Sequence, residues 1–211
     1  MIGGSEMNHK VNSVAQLHED AVALYNNAVV GGNNTSADSI IANIMAGINN
    51  LKGCWEGKDA GTQIQNLVVV HNAMVEIRNA LGELAVDSSK IAANYREIQN
   101  ANGAGLEQLG ALNCDPKTKT EDYTDDRDTV NITQEANAGK QKVDAANDAM
   151  DGFIQDVKKY YGQIMDNWTA GTGRENAQNA FDNFLNNSSR YKEILNNVSG
   201  SITQAIQNYQ F

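Results

Sequence analysis

The sequence predicts an all-α fold, an antiparallel four-helix bundle made of two helix-turn-helix hairpins. Three observations carry that prediction. The 211 residues include a single proline, Pro116, and tracts without proline permit uninterrupted helices, because proline removes an amide donor and clashes with the preceding turn. Apolar residues recur every seven positions over long stretches, the pattern of helices packed along their length. The only two tryptophans, Trp55 and Trp168, occupy matching places. Each closes an amphipathic pattern and is followed by a glycine, Gly57 or Gly171, after which a second heptad-patterned stretch begins.

The first hairpin is expected over residues 1–102. Val14, Leu17, Ala21, Leu24 and Ala28 mark one helix; Ile41, Ile44, Ile48 and Leu51 mark another, with the seam shifted by one residue. Gly31-Gly32-Asn33-Asn34-Thr35-Ser36 interrupts them, an insertion at 31–36 with Thr35 or Ser36 as N-cap for the restart. A turn follows at 53–58. Beyond it Leu67, Met74, Leu81, Ser88 and Tyr95 form one column and Val70, Ile77, Leu84, Ile91 and Ile98 the other. This predicts a helix from about 59 to 100, roughly 63 Å long at ~1.5 Å per residue, ending near Asn102-Gly103.

The second hairpin is expected over 132–211. Val143, Met150, Val157 and Ile164, with Ala146, Phe153 and Tyr160, give a helix to residue 167; a turn follows at 167–173. The last helix repeats the design, with Phe181, Ser188, Leu195, Ile202 and Tyr209 in one column and Phe184, Tyr191, Val198 and Ala205 in the other. A serine interrupts a column in both halves, at Ser88 and Ser188.

Between the hairpins, residues 103–131 form a polar linker without periodicity, and a linker of that length needs a reason. If both turns lay at one end of the bundle, a few residues would join the hairpins. With the hairpins antiparallel, the chain must return along the whole bundle, and about 28 residues at up to ~3.3 Å each cover ~60 Å with slack. The linker therefore favours antiparallel hairpins, with Trp55 and Trp168 at opposite ends.

Composition narrows the function. Forty-one per cent hydrophobic residues with 6 per cent aromatics make a lean, aliphatic core. The net charge of −10 argues against nucleic acid, which requires a basic face, and the scattered basic residues form no patch for an anionic membrane. No run of 18 apolar residues occurs, so no stable membrane insertion is expected. Met1-Ile2-Gly3-Gly4-Ser5-Glu6 lacks the basic and apolar regions of a signal peptide, so export would take a signal-peptide-independent route. Cys54 and Cys114 are too few for a disulfide framework. Free thiols are the expectation, with a bridge left open because spacing does not fix the Cα separation.

No catalytic constellation, cofactor site or metal site is read from the chain. His9, His18 and His71 lack ligand spacing. Asp122, Asp125, Asp126 and Asp128 lack the glycine and terminal glutamate of a calcium loop and read as a solvated linker. Gly171-Thr172-Gly173-Arg174 has neither the strand nor the Gly-Lys-Ser/Thr of a phosphate loop.

The turns carry the remaining signal. Glycine tolerates positive φ and close approach between helices, and tryptophan covers the open end of a seam while its N–H meets a carbonyl or water. That plugging role is one reading; an indole offered to a partner is the other. The run Leu51-Lys52-Gly53-Cys54-Trp55-Glu56-Gly57-Lys58-Asp59-Ala60, at a hairpin turn, resembles the WXG (ESAT-like) family of type VII secretion substrates of Gram-positive bacteria. Trp168-Thr169-Ala170-Gly171 is similar, with one residue inserted before the glycine.

That resemblance implies antiparallel pairs of hairpins, so this chain resembles a fused pair, a monomer standing in for a dimer. It implies a non-enzymatic protein acting through protein–protein contacts and exported without a cleavable signal. It also implies a recognition turn at Trp55 and Gly57, with Trp168 and Gly171 secondary, read by the type VII secretion ATPase or a cognate partner protein. In the family, W-x-G commonly works beside a C-terminal Y-x-x-x-[D/E]. Here the residues four beyond Tyr25, Tyr95, Tyr123, Tyr160, Tyr161 and Tyr191 are Val29, Gln99, Arg127, Ile164, Met165 and Leu195, none acidic. That departure motivates the alternative of a cytoplasmic structural or adaptor bundle. A membrane-active bundle that opens its hairpins has only Val68-Val69-Val70 behind it.

Overall fold

The computed structural model describes residues 11–168 and 172–209. The chain is all-α. Its helices are α1 (Val14–Leu24), α2 (Ala37–Cys54), α3 (Lys58–Ala101), α4 (Ala136–Asn167) and α5 (Thr172–Asn208). A π-helical turn, Tyr25–Val29, continues α1, and two-residue strands β1 (Trp55–Glu56) and β2 (Asn131–Ile132) pair antiparallel.

Local sequence explains the boundaries. Ser13 caps α1 by accepting the Gln16 N–H at 3.3 Å, and Ser36 caps α2 by accepting from Ser39 at 3.3 Å. Of the two candidate caps in the insertion, Ser36 is therefore the one used, which satisfies an amide that the first helical turn otherwise leaves free. Thr35 instead donates to Asp156 of α4 at 2.9 Å. The insertion is a loop after the π-helical turn, and α1 and α2 lie on either side of it. Gly57 has φ 109° and ψ 177°, a region that only glycine enters without strain, so α3 starts right after it. With 44 residues, α3 is about 66 Å long at ~1.5 Å per residue; it stops at Ala101, followed by Gly103 with φ 87°.

The heptad columns face the core. Leu67, Val70, Met74, Ile77, Leu81 and Leu84 of α3 are buried, as are Val143, Met150, Phe153, Val157 and Ile164 of α4 and Phe181, Phe184, Leu195, Val198 and Ile202 of α5. Ser88 is fully buried within the α3 column, its hydroxyl donating to its own helix at Leu84 O, 2.7 Å away; Ser188 does the same to Leu185 O at 2.8 Å. A serine satisfied by the preceding turn leaves no orphaned group in the seam. The α3 seam then fades, correcting the expected run of core positions to residue 98: Ile91 and Tyr95 are half-buried and Ile98 is exposed. Val69, in the middle of the apolar cluster, also faces outward.

Helix α2 packs on α3 and α4, α3 on α5, α4 on α5, and α1 on α3 and α4. The start of α4 lies at the end of α2, where Trp55 pairs with Ile132 and Thr133 N–H donates to Cys54 O at 3.0 Å. Its far end lies at the start of α1, where Trp168 bridges Val11 and Asn167 donates to the buried Asp20 at 2.7 Å. The helix expected from about residue 132 starts later. Residues 131–132 extend along the Trp55 turn, and the helix begins at Ala136.

Candidate recognition turn and the strap that covers it

The structure separates the four residues singled out at the turns. Trp55 and Gly57 sit between α2 and α3; Trp168 lies at the opposite end, beside the start of α1; Gly171 lies outside the described residues. Both indoles are plugs: Trp55 is 2% exposed and Trp168 1%. An indole offered outward to a partner is therefore not what the turn presents, because these rings complete the apolar core at each end.

What surrounds Trp55 comes from two distant segments. The end of α5 supplies Ser201, Gln204, Ala205 and Asn208, which with the Tyr209 that follows and with Trp55, Asp59 and Gln63 line a cavity of about 210 Å3. Trp55 Nε1 and Gln63 Oε1 are buried without a hydrogen-bond partner among the described residues. The other segment is the linker. The Asp125 carboxylate accepts the Gly57 N–H at 2.9 Å and is gripped by Arg127 through Nε at 2.8 Å and Nη2 at 2.6 Å. Arg127 Nη1 reaches Glu56 at 2.8 Å, and Lys58 pairs with Asp128 at 2.7 Å. Glu56, Gly57 and Lys58 are thus each held by one member of Asp125-Asp126-Arg127-Asp128.

This corrects the reading of the acidic cluster as a solvated stretch at one position, since Asp122, Asp126 and Asp128 are exposed and Asp125 is buried. The Asp125 side chain is only 3% exposed. The Arg127 guanidinium, followed by the Gly57 N–H, holds the Asp125 carboxyl well below the usual carboxylate range, and Asp125 and Glu56 hold Arg127 charged. Hydrogen bonds that favour the charged form outweigh desolvation here. The Gly57 turn also needs its hydrogen atom in place of a side chain, because a Cβ there would run into the carbonyl oxygen of Thr129.

The remaining linker is not slack. Residues 104–127 form no helix or strand, yet they run back along α3 as a strap gripped by side-chain amides. Asn79 accepts from Lys117 N–H and donates to Lys117 O, both at 2.8 Å. Asn72 does the same to Thr120, at 2.8 and 2.9 Å. Gln65 accepts from Tyr123 N–H at 2.7 Å, and Lys52 sits 4.6 Å over the Tyr123 ring. Farther along, Ser89 accepts from Leu112 N–H at 2.9 Å, Arg96 donates to Glu107 O at 2.6 Å, and Asn100 pairs with both main-chain groups of Leu106.

Spacing makes this zipper possible. Gln65, Asn72 and Asn79 are seven apart on one face of α3, a rise of ~10.5 Å per step; Tyr123, Thr120 and Lys117 are three apart, ~10 Å when extended. Two small residues let the strap lie close: the Asp125 amide nitrogen is 2.7 Å from the position of a Cβ on Gly61, and the Cys114 sulfur 2.6 Å from one on Gly82. Cys54 and Cys114 are both free, Cys54 buried and Cys114 half-buried, and burial pushes both thiols up. The sequence reading missed Asp125, Arg127 and the amide row. The available signal was the seven-residue spacing of the amides, on the face of α3 opposite the apolar seam.

Among the described residues, no group of three or more His, Cys, Asp or Glu side chains is placed to hold a metal ion, and no helix is long and apolar enough to cross a membrane. No family model, curated protein or solved structure matches the chain.

Proposed function

We propose that the chain is a non-enzymatic helical protein of the WXG type, secretion-associated and acting through protein–protein contacts. On this reading its helices form an antiparallel four-helix bundle of two hairpins, α1–α2 with α3 and α4 with α5, a fused pair in one polypeptide. The observation that carries it is the Trp55 turn: tryptophan, one intervening residue and a glycine at positive φ between two long helices, with the end of α5 and its Tyr209 across a small cavity. A second tryptophan turn at the other end, Trp168 against Val11, supports the fused-pair reading. Asp125 supplies an acidic group at Gly57, whereas none of the residues four beyond Tyr25, Tyr95, Tyr123, Tyr160, Tyr161 and Tyr191 is acidic.

The partner on this reading is the type VII secretion ATPase or a cognate partner protein, and export proceeds without a signal peptide. The test is secretion from the native host with and without that ATPase, for the wild type and Trp55→Phe, which keeps an apolar plug. The expected result is wild-type protein in the medium only when the ATPase is present, and Trp55→Phe retained in cells with its helical circular dichroism intact. Export that ignores the ATPase, or is unchanged in a folded Trp55→Phe, overturns the assignment. Wild-type protein found solely in the lysate of a host with an intact system supports the cytoplasmic adaptor instead, a reading that the burial of both indoles favours.

A further inference from the structure

The strap is attached in an unusual way. Its carbonyls and amides are held by α3 side chains at Leu106, Glu107, Leu112, Asp115, Lys117, Thr120 and Tyr123. Its own side chains lie mostly in solvent: Asp115, Lys117, Thr118, Lys119, Glu121 and Asp122 are exposed, and the contacts of Lys117 with Asp38, Lys119 with Glu76 and Asp122 with Gln65 are made at the surface. Its apolar anchors, Leu109, Leu112, Cys114 and Tyr123, are only half-buried, and its one buried side chain is the charged Asp125. The helices beneath it have a different attachment, a continuous apolar core of fully buried aliphatic residues. A segment with little buried apolar surface and hydrogen bonds close to solvent opens at lower free energy than the core on which it lies.

One end of the strap is suited to hinging and the other to fastening. At one end Gly103 and Gly105 have φ of 87° and 60° with open space where a Cβ would stand. At the other, Asp125, Arg127 and Asp128 clasp Glu56, Gly57 and Lys58. The pairs between these ends repeat in register, so each one formed fixes the path of the next.

We propose that residues 106–129 are a latch that detaches from α3 as one unit while the helices stay packed, and that its closure sequesters the Trp55 turn. Opening breaks the clasp on Gly57 and uncovers the row Gln65, Asn72 and Asn79, whose amides then present paired donors and acceptors to solvent. The inference goes beyond the secretion reading and does not depend on export, since it concerns the purified chain alone.

Hydrogen exchange on the full chain tests it. The Leu112, Lys117, Thr120, Tyr123 and Gly57 amides are expected to share one opening equilibrium and to exchange at least about tenfold faster than core amides such as Met74, Leu81 and Met150. In the double variant Asn72→Leu/Asn79→Leu, exchange at Leu112, Tyr123 and Gly57, whose own hydrogen bonds are untouched, is expected to rise severalfold with unchanged helical circular dichroism. Acceleration confined to Lys117 and Thr120 overturns the latch, because the strap then frays one residue at a time. Strap amides that exchange only with the core overturn it as well. Should the double variant fail to fold, the wild type in mild denaturant decides. One shared slope for the strap amides, smaller than that of the core, is expected; separate slopes, or the core's slope, overturn the proposal.

Discussion

The Asp125 carboxylate accepts the Gly57 N–H at 2.9 Å across 68 residues of sequence. This bond ties the polar linker to the glycine of the tryptophan turn, and it places a charge at the start of α3. A carboxylate there is favoured by the unpaired amides and partial positive charge of a helix N-terminus, and Arg127 fixes it in place through two further bonds.

The pH dependence of stability follows from this pairing. Arg127 and the Gly57 N–H lower the Asp125 pKa in the folded chain. A carboxyl lowered in this way stabilises the fold fully above its unfolded value, near ~4, and that contribution is lost as pH falls from there through the folded value. The melting temperature of Asp125→Asn is therefore expected to lie below that of the wild type by a constant gap above about pH 5, with the gap narrowing below about pH 4. Thermal melts of both proteins across that range check it, and a gap that closes as pH rises contradicts it.

Gly57 and Gly53 lie four residues apart and should respond oppositely to alanine. At Gly57, φ is 109° and the new methyl group would meet the Thr129 carbonyl. The strained backbone alone costs on the order of 1–3 kcal/mol, and displacing the strap adds to it. Gly53 is helical, in the last turn of α2, with nothing within 4 Å of a new Cβ, so alanine there is expected to stabilise by roughly 0.5–1 kcal/mol. Denaturant titration of the two variants gives the comparison, and equal effects would contradict the assigned turn geometry.

How far the fold could be read from the sequence depended on which forces write periodic patterns. Apolar burial writes a strong one, so the Leu67–Leu84 column was legible from spacing, and the Trp55 turn and a cap at Thr35 or Ser36 from residue type. The strap was not. Gln65, Asn72 and Asn79 stand opposite the seam, where polar residues usually face water, and the linker they hold is recognised through its main chain, which leaves no trace in side-chain identity. Asp125 was hidden for a related reason: among Asp122, Asp125, Asp126 and Asp128 nothing local distinguishes the one that becomes buried. Only the three-dimensional return of the strap to Gly57 selects it. The α3 seam misled at its end, because Ile98 continues the heptad past the last packed neighbours and remains exposed.

Gly82 tests the fit between strap and helix. A glycine inside a helix costs about 1 kcal/mol relative to alanine, and here the missing Cβ makes room for the Cys114 sulfur, 2.6 Å from where that atom would stand. Gly82→Ala is expected to change global stability little, since better helix propensity offsets the loss of this contact. Cys114 should move outward, so that its alkylation rate at neutral pH rises severalfold as the burial that raises its pKa is relieved. An unchanged rate with unchanged stability would mean that the strap accommodates the methyl without shifting.

The two tryptophans should prove equally structural and unequal in recognition. Each is nearly fully buried, and truncating a buried tryptophan to alanine costs about 3–5 kcal/mol through lost transfer energy and an unfilled cavity. Trp55→Ala and Trp168→Ala are both expected to lose stability of that order, which makes alanine a poor probe of signalling at either turn. Phenylalanine separates the roles. Trp55 Nε1 has no hydrogen-bond partner among the described residues, so Trp55→Phe forfeits ring area without leaving a donor's partner stranded, and a stability loss smaller than that of alanine is expected. Recognition at the Trp55 turn then predicts that partner binding or export falls in Trp55→Phe and persists in Trp168→Phe, at matched melting temperatures. Equal effects of the two phenylalanine variants would assign both rings to the packing of the bundle ends alone.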